Sequence, residues 1–421
     1  KLHHLLPGTE GCYAENLLQG SFPPFFHIQY TAQALRRENG RRMHHDLSGQ
    51  RSHLLAQASR GGKSHDRHPH QTGWKPGAFW PQAVPVGRII ERCRELLAEA
   101  FGAPASENVI FTSGCTEALN LAIRGSLYRG DEVLCSHGEH NAVMRVLKSL
   151  EESGQITLKV VNPEPDGLLR PETLARAISP KTALCVLCHA SNVTGVVQPV
   201  GELSRVLKNR AIPLLVDAAQ TAGILPVSLK ELGADMIAIP GHKGLLGPHG
   251  TGLLVLGAGM LPRPLITGGT GSLSESMYQP HSLPDRYESG TPNLPGIAGL
   301  LAGARFALAH RQEIEEYERD LAQQMRSSLQ SLKGLRVLGH EIAPMVGVVS
   351  FVPGQMDAGE ICDQLSRRGF ALRAGLHCAP AMHQWLGTLE SGACRASVGI
   401  YNTQDDVEQL AAAIEDILGK K

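Results

Sequence analysis

From Ile89 onward, hydrophobic positions recur in two alternating rhythms. IIERCRELLAEAF sets Ile89, Ile90, Cys93, Leu96 and Leu97 at helical spacing and runs into Gly102 and Pro104, which predicts a helix ending near residue 101. Short apolar runs then alternate with amphipathic stretches. VIFT (109–112) predicts a strand before a helix over 115–127, and VLCS (133–136) a strand before a helix over 141–150. ITLKVV (156–161) precedes a helix over 171–178, and ALCVLCHA (183–190) one over 200–208. IPLLVDAA (212–219), DMIAIP (235–240) and TGLLVL (251–256) follow as further strands. Near-continuous apolar strands between amphipathic helices predict a mostly parallel, seven-stranded-type sheet covered on both faces. Beyond residue 300 the pattern predicts one long helix over 302–332. VGVVSFV, AGEICDQLSRRG, CRASVGIY and DDVEQLAAAIEDIL then form a second strand and helix set, a smaller α+β domain.

Residues 1–88 have neither rhythm. They hold nine of the nineteen His, two of the three Trp, and eleven Lys and Arg against five acidic residues. The expected organisation is therefore an atypical, poorly ordered segment over 1–87, a large domain over 88–300 and a small domain over 301–421. The cluster His65, His68 and His70 has metal-ligand chemistry, but its low-order setting gives no reason to expect a metal. Cys185 and Cys188 form a CxxC within an apolar strand. Their side chains should point to opposite faces there, and no second cysteine pair stands at zinc spacing.

Composition narrows the class. Forty basic and forty acidic side chains cancel, so neither nucleic acid nor an anionic membrane is an expected partner. No apolar run approaches the roughly 18 residues of a membrane span. The start KLHHLLPGTEGCY has no leader-like apolar core, and its lack of an initiator Met suggests that the natural start lies upstream. An odd count of nine scattered cysteines argues for a reducing, cytoplasmic setting rather than a disulfide framework.

Candidate chemistry gathers at the ends of the apolar runs. In GHKGLLGPHGTG (241–252), Lys243 follows a strand and is flanked by glycines, where a lysine serves no packing purpose. A surface-loop lysine is the plain alternative. LLVDAAQTAG puts Asp217 at the end of a strand, where ligands of α/β sheets bind, although it could also cap a helix. FTSGCTEALN puts Ser113, Gly114 and Thr116 at a strand-to-helix turn, which is either a phosphate seat or an ordinary N-cap. Together, a phosphate seat, a strand-end Asp and a later lysine supply the anchor, ring partner and covalent attachment that pyridoxal 5'-phosphate (PLP) requires. Their order is that of the type I PLP fold. The remaining feature, RAGLHCAP (373–380), sets Cys378 after His377 in a glycine-containing turn. On its own it is equally compatible with a packed thiol.

From about residue 88 to 415 the chain resembles the cysteine desulfurases of the class V aminotransferase family. The resemblance rests on TSGCTEALN, GEHNAV, SNVTG, VDAAQ, GHKGLLGPHGTG, ESGTPN, RAGLHCAP and CRASVGIYNT in that order. It implies that Lys243 binds PLP covalently and moves the substrate Cα proton. Asp217 would keep the pyridine nitrogen protonated, Gln220 would bond the phenolic oxygen, and His140 would stack on the ring and act in catalysis. Gly114, Cys115, Thr116 and His242 would hold the phosphate, joined by Thr291 from a second subunit, which implies a homodimer. Asn192 would touch both cofactor and substrate, and Arg373 and Arg395 would bind substrate, Arg395 through its carboxylate. Outside that context Arg395 could be a surface salt bridge.

Cys378 falls on the sulfur-accepting position of the subgroup with a short RxGxHCA loop. The implied reaction converts L-cysteine to L-alanine and leaves sulfur on Cys378 as a persulfide, for iron–sulfur or other sulfur-transfer pathways through an acceptor protein. Its thiolate would draw on the charge of Arg373 or exchange a proton with His377. Alternatives of the same kind are a selenocysteine lyase acting on L-selenocysteine and a class V aminotransferase; a further one is a remnant impaired in catalysis. Residues 1–87 lack the opening strand motif of the family, which suggests an out-of-frame or replaced segment. The missing motif in another reading frame ahead of Ile89 would support this, and its absence from both would refute it.

Overall fold

The computed structural model describes residues 83–340, 343–354 and 356–419. The expectations for residues 1–82, including the His65, His68 and His70 cluster and the frame of that segment, lie outside the described residues.

The first helix, α1 (Ala83–Phe101), begins six residues before the apolar periodicity at Ile89. Pro85 falls in its opening turn, where a missing N–H costs nothing because first-turn donors have no helical partner. The chain continues as β1 (Val109–Thr112), α2 (Cys115–Ser126), β2 (Asp131–Ser136), α3 (Asn141–Glu152), β3 (Ile156–Val161), α4 (Pro171–Ala177), β4 (Thr182–Cys188) and α5 (Val200–Lys208). Then come β5 (Leu214–Asp217), the single turn α6 (Leu229–Leu232), β6 (Met236–Pro240) and β7 (Gly252–Leu256). These seven strands form one sheet in the order β1-β7-β6-β5-β4-β2-β3. Pairing is parallel throughout except at β7, which runs antiparallel to both β1 and β6.

Both faces of the sheet are apolar because both are covered. Cys185 and Leu187 of β4 join a core with Leu97 and Phe101 of α1 and Leu203 and Leu207 of α5. Leu184 and Val186 join the opposite core with Leu119 and Ile123 of α2 and Val143 and Leu147 of α3. Cys185 therefore faces one core, whereas Cys188, three residues on, donates its thiol to Gly138 O at 3.3 Å on the other side.

The expected single helix over 302–332 is two. α7 (Leu294–Ala309) and α8 (Arg311–Ser331) meet at His310, whose backbone (φ −111°, ψ 17°) leaves the helical region. His310 N still bonds Phe306 O at 3.1 Å and its own carbonyl accepts from Ile314 N at 2.9 Å, so one residue closes the first helix and opens the second. Neither Gly nor Pro marks this break, so no breaker residue announces it. The expected division at 300/301 falls inside α7, where Ile297, Leu300 and Ala304 pack into the core of the large sheet.

After α8 come β8 (Leu335–Val337), β9 (Val348–Pro353), α9 (Ala358–Arg367), β10 (Arg373–Gly375), α10 (Pro380–Trp385), β11 (Ala393–Ser397) and α11 (Gln404–Gly419). Here four antiparallel strands in the order β10-β11-β9-β8 carry α8, α9 and α11 on their core face. Among the described residues no helix is long and apolar enough to cross a membrane.

Candidate active site

The site forms where the strand ends of the large sheet meet β10 and β11. Asp217, the last residue of β5, is buried; its Oδ1 accepts from Ala219 N at 2.9 Å and from the Cys115 thiol at 3.5 Å. Oδ2 lies outside these bonds. The open alternative of a helix cap is thus excluded, since the turn after β5 is not a helix N-terminus. Burial and the Asp217 carboxylate push the Cys115 thiol well above its ordinary range, so it remains a proton donor.

Lys243 stands three residues past β6 in a turn built by glycines. Gly223 has φ +85°, and a Cβ on it would lie 2.3 Å from Gly244 O. A Cβ on Gly244 would meet Ala222 O at 2.4 Å. The lysine turn therefore rests directly on the chain that follows Asp217. Burial lowers the Lys243 ammonium below its ordinary value; Arg395 and Arg373 push the same way, while Asp217 and Cys115 oppose. A lysine with an eased proton is suited to nucleophilic and proton-transfer work.

His140 stands at the N-terminus of α3, directly ahead of Asn141. It caps α3, with Nδ1 accepting from Ala142 N at 3.0 Å, and it is within the electrostatic reach of Asp217, Lys243 and Arg373. Accepting at Nδ1 fixes the neutral ring with its proton on Nε2, and burial lowers its tendency to take a second. The cap fixes the orientation of the ring at its Nδ1 edge.

The other large-domain candidates lie at the ends of the same elements. The α2 N-terminus follows Gly114, and a Cβ on Gly252 of β7 would lie 2.6 Å from Gly114 Cα and 3.0 Å from Cys115 N. Gly252 is what lets this turn sit against the sheet. First-turn N–H groups of α2 have no helical partner, and the Glu117 carboxylate claims only Ser113 N, at 2.6 Å. Thr116 is exposed at the mouth of this turn, and Gln220 is half-buried just past Asp217. His242, next to Lys243, packs its ring against His249 at 4.8 Å between centroids, tilted by 32°. Thr291 is not gathered in; it is exposed, ahead of α7. Its segment is nevertheless anchored, because Glu288 pairs with Arg94 of α1 at 2.8 and 2.9 Å and accepts from Phe111 N at 2.7 Å.

The small-domain wall comes from two paired strands. Arg373 of β10 lies opposite Arg395 of β11. Arg395 Nη1 donates to Asn192 O at 3.0 Å, while its Nε is buried without a partner among the described residues. A buried guanidinium with an unmet donor is what a carboxylate ligand would satisfy. Arg373 Nη2 lies 3.5 Å from Cys378 Sγ. Two bonds dock the cysteine loop on the large domain: Asn192 Nδ2 donates to His377 O at 2.6 Å, and Asn141 N to Cys378 O at 2.7 Å.

His377 is not positioned as the proton partner of Cys378. Its Nε2 faces Arg373 O at 3.1 Å and its Nδ1 faces His383 Nε2 at 3.3 Å, so both nitrogens are taken. Glu139, beside His140, is a buried carboxyl that the residue pattern did not single out. It is fully buried, bonds Ser136 Oγ at 2.6 Å and Cys188 N at 2.9 Å, and burial raises it to about 8. Its place in GEHNAV beside His140 was the available signal. Among the described residues no group of three or more His, Cys, Asp or Glu could hold a metal ion.

Amine, carboxylate, imidazole face, helix N-terminus and unmet guanidinium donor in one crevice fit PLP and an amino-acid substrate. An α/β protein with this sheet order and this crevice belongs to the class of PLP enzymes of type I fold. The family described as Aminotransferase class-V matches residues 83–410. The chain belongs to that family, whose members are PLP-dependent. A cysteine desulfurase of Shigella flexneri is 32% identical over 339 residues, covering 78% of this chain and 82% of that protein. The apo structure of a cysteine desulfurase from Thermococcus onnurineus superposes with a TM-score of 0.77 at 30% identity, covering 82% of this chain and 87% of that one. A cysteine desulfurase from Escherichia coli, in an S-sulfonic acid form, gives 0.73 at 27% identity over 84% and 88%.

Proposed function

We propose that the chain is a PLP-dependent cysteine desulfurase in which Cys378 takes the sulfur of L-cysteine as a persulfide and L-alanine is left. The single observation that carries this reading is the docked loop. Cys378 Sγ lies beside the Arg373 guanidinium, and the loop is tied to the residues next to His140 and Lys243's crevice.

Bound PLP supplies an electron sink that weakens the Cα–H and C–S bonds of the substrate. Lys243 holds the cofactor, and its amine takes and returns the Cα proton. Asp217 keeps the ring nitrogen protonated through its uncommitted Oδ2, with Cys115 and Ala219 N fixing the carboxylate. Gly114, Cys115, Thr116 and His242 hold the phosphate, Gln220 the phenolic oxygen and His140 the ring face. Arg395 pairs with the substrate carboxylate, assisted by Asn192 and Arg373. The Cys378 thiolate attacks the substrate sulfur. The new S–S bond forms as the C–S pair passes to the substrate carbon, which takes a proton to become the methyl group of alanine.

Thr291 of a second copy completes the phosphate seat in a homodimer, and an acceptor protein's thiol removes the persulfide sulfur, for iron–sulfur or other sulfur-transfer pathways. Alanine and persulfide produced from L-cysteine by wild type, and lost in Cys378→Ala, support the reading. Alanine formed equally by both refutes it. Selenide release outrunning sulfide release would assign a selenocysteine lyase instead.

A further inference from the structure

Behind Cys378, side chains from three segments meet the backbone of a fourth in one line. Buried His377 lies between β10 and α10, buried His383 lies on α10, and buried Thr388 lies on the loop leading to β11. His377 Nε2 is 3.1 Å from Arg373 O, His377 Nδ1 is 3.3 Å from His383 Nε2, and His383 Nδ1 is 2.8 Å from Thr388 Oγ1.

The chemistry of one end fixes the rest. A backbone carbonyl can only accept, so His377 Nε2 carries a proton. Burial pushes His377 down to about 4; Arg395, His383 and Arg373, the charged and titratable groups facing it, also oppose a second proton. Its Nδ1 is therefore bare at neutral pH and must accept, which puts the proton of His383 on Nε2. Burial lowers His383 too, so its Nδ1 is bare and the Thr388 hydroxyl donates into it. A longer contact from that hydroxyl to His383 O, at 3.4 Å, is the weaker competitor. All three bonds point the same way, from Thr388 to Arg373 O.

This line ends on the residue whose guanidinium faces Cys378 Sγ. It also backs a turn in which His377 (φ 51°) and Cys378 (φ 58°) both occupy the left-handed region that side chains disfavour. Such backbone persists only when its surroundings over-determine it. Asn192 and Asn141 hold the turn from the large-domain side, and the His–His–Thr line holds it from behind.

We propose that His383 and Thr388 are positioning residues that hold His377 as a neutral, directed hydrogen-bond bridge and so keep Arg373 beside the Cys378 sulfur for its transfer. The proposal rests on the desulfurase reading. It assigns His377 no proton exchange with the thiol, and it leaves Arg373 as the charge partner.

The test uses the PLP-loaded enzyme with His383→Phe, His383→Gln and Thr388→Val. Nitrogen-15 NMR of labelled histidine should show His377 and His383 as neutral Nε2–H tautomers at about pH 8. His383→Phe should lower kcat for alanine formation about tenfold with KM within about twofold, because Arg395, the main clamp on the substrate carboxylate, lies outside the line. Alkylation of Cys378 by iodoacetamide should slow in parallel. Gln at 383 restores a donor to His377 Nδ1 and should recover most of the loss, and Thr388→Val should cost about threefold. A protonated or Nδ1–H His377 overturns the proposal. So does unchanged kcat in His383→Phe, or a loss shared equally by His383→Gln and matched by a fall in Tm. If wild type makes no alanine from L-cysteine, the desulfurase reading fails, while the tautomers and the alkylation rates still decide the bridge.

Discussion

The two walls of the crevice are built by different means. On the large-domain wall, Asp217, Lys243, His140 and the α2 N-terminus occupy strand ends and helix starts, and the sheet alone brings them together. Close-packed glycines at 223, 244 and 252 make those approaches possible. On the small-domain wall, Cys378 sits in a turn whose backbone is unfavourable for both its residues and is held by side-chain and backbone bonds from both domains. One wall is placed by topology, the other by a set of specific bonds. The lesson is that the cofactor side should tolerate local change better than the sulfur-accepting side, except where a substitution removes a reacting group or fills a glycine contact.

Removing the reacting groups gives the largest effects and separates the walls. Cys378→Ala should abolish persulfide formation yet leave cofactor absorbance intact, as a spectrum of the loaded protein would show. Lys243→Ala should lower alanine formation roughly 10²–10⁴-fold, the usual scale for a lost proton-transfer group, while leaving the iodoacetamide reactivity of Cys378 within about twofold. A Lys243 variant that also silences Cys378 would mean that the two walls are not independent.

Next in size is the substrate clamp. Arg395→Lys keeps the charge but loses the planar fork, and should raise KM for L-cysteine about tenfold with a smaller change in kcat. Steady-state kinetics read this directly, and an unchanged KM would remove Arg395 from the carboxylate site. Gly252→Ala tests topology on the opposite wall. Its methyl would press on Gly114 and Cys115 N, and a destabilisation of about 1–3 kcal/mol with weakened PLP retention is expected from denaturation and dialysis.

The last prediction concerns pH. Glu318 of α8 is buried, and its folded value is raised from 4.5 to about 8; Glu139 is raised over the same interval. Between those values the folded protein keeps protons that the unfolded chain has released, so stability falls as pH rises from about 4.5 to about 8. Glu318→Gln should flatten that slope, gaining at about pH 8 relative to wild type and not at about pH 5, as urea midpoints would report. Equal shifts at both pH values would show that ionisation of Glu318 is not the cause.

Much of this molecule is legible in the order of its residues, for physical reasons that also explain what is not. The strands of the large sheet are near-continuous apolar runs, and the site residues sit immediately after them, so Lys243 and Asp217 announce themselves by position. The break at His310 has no Gly or Pro and leaves the apolar pattern almost undisturbed. β8 and β10 are three residues each, too short for a period to show. The His377–His383–Thr388 line joins residues whose partnership depends on how α10 turns.

The most direct measurement is peptide mass spectrometry of the PLP-loaded enzyme after brief exposure to L-cysteine without an acceptor thiol. The account predicts one added sulfur atom on the peptide carrying Cys378, in step with the first equivalent of alanine. Alanine formed at the full rate with Cys378 unmodified, or sulfur found first on another cysteine such as Cys115, would contradict it.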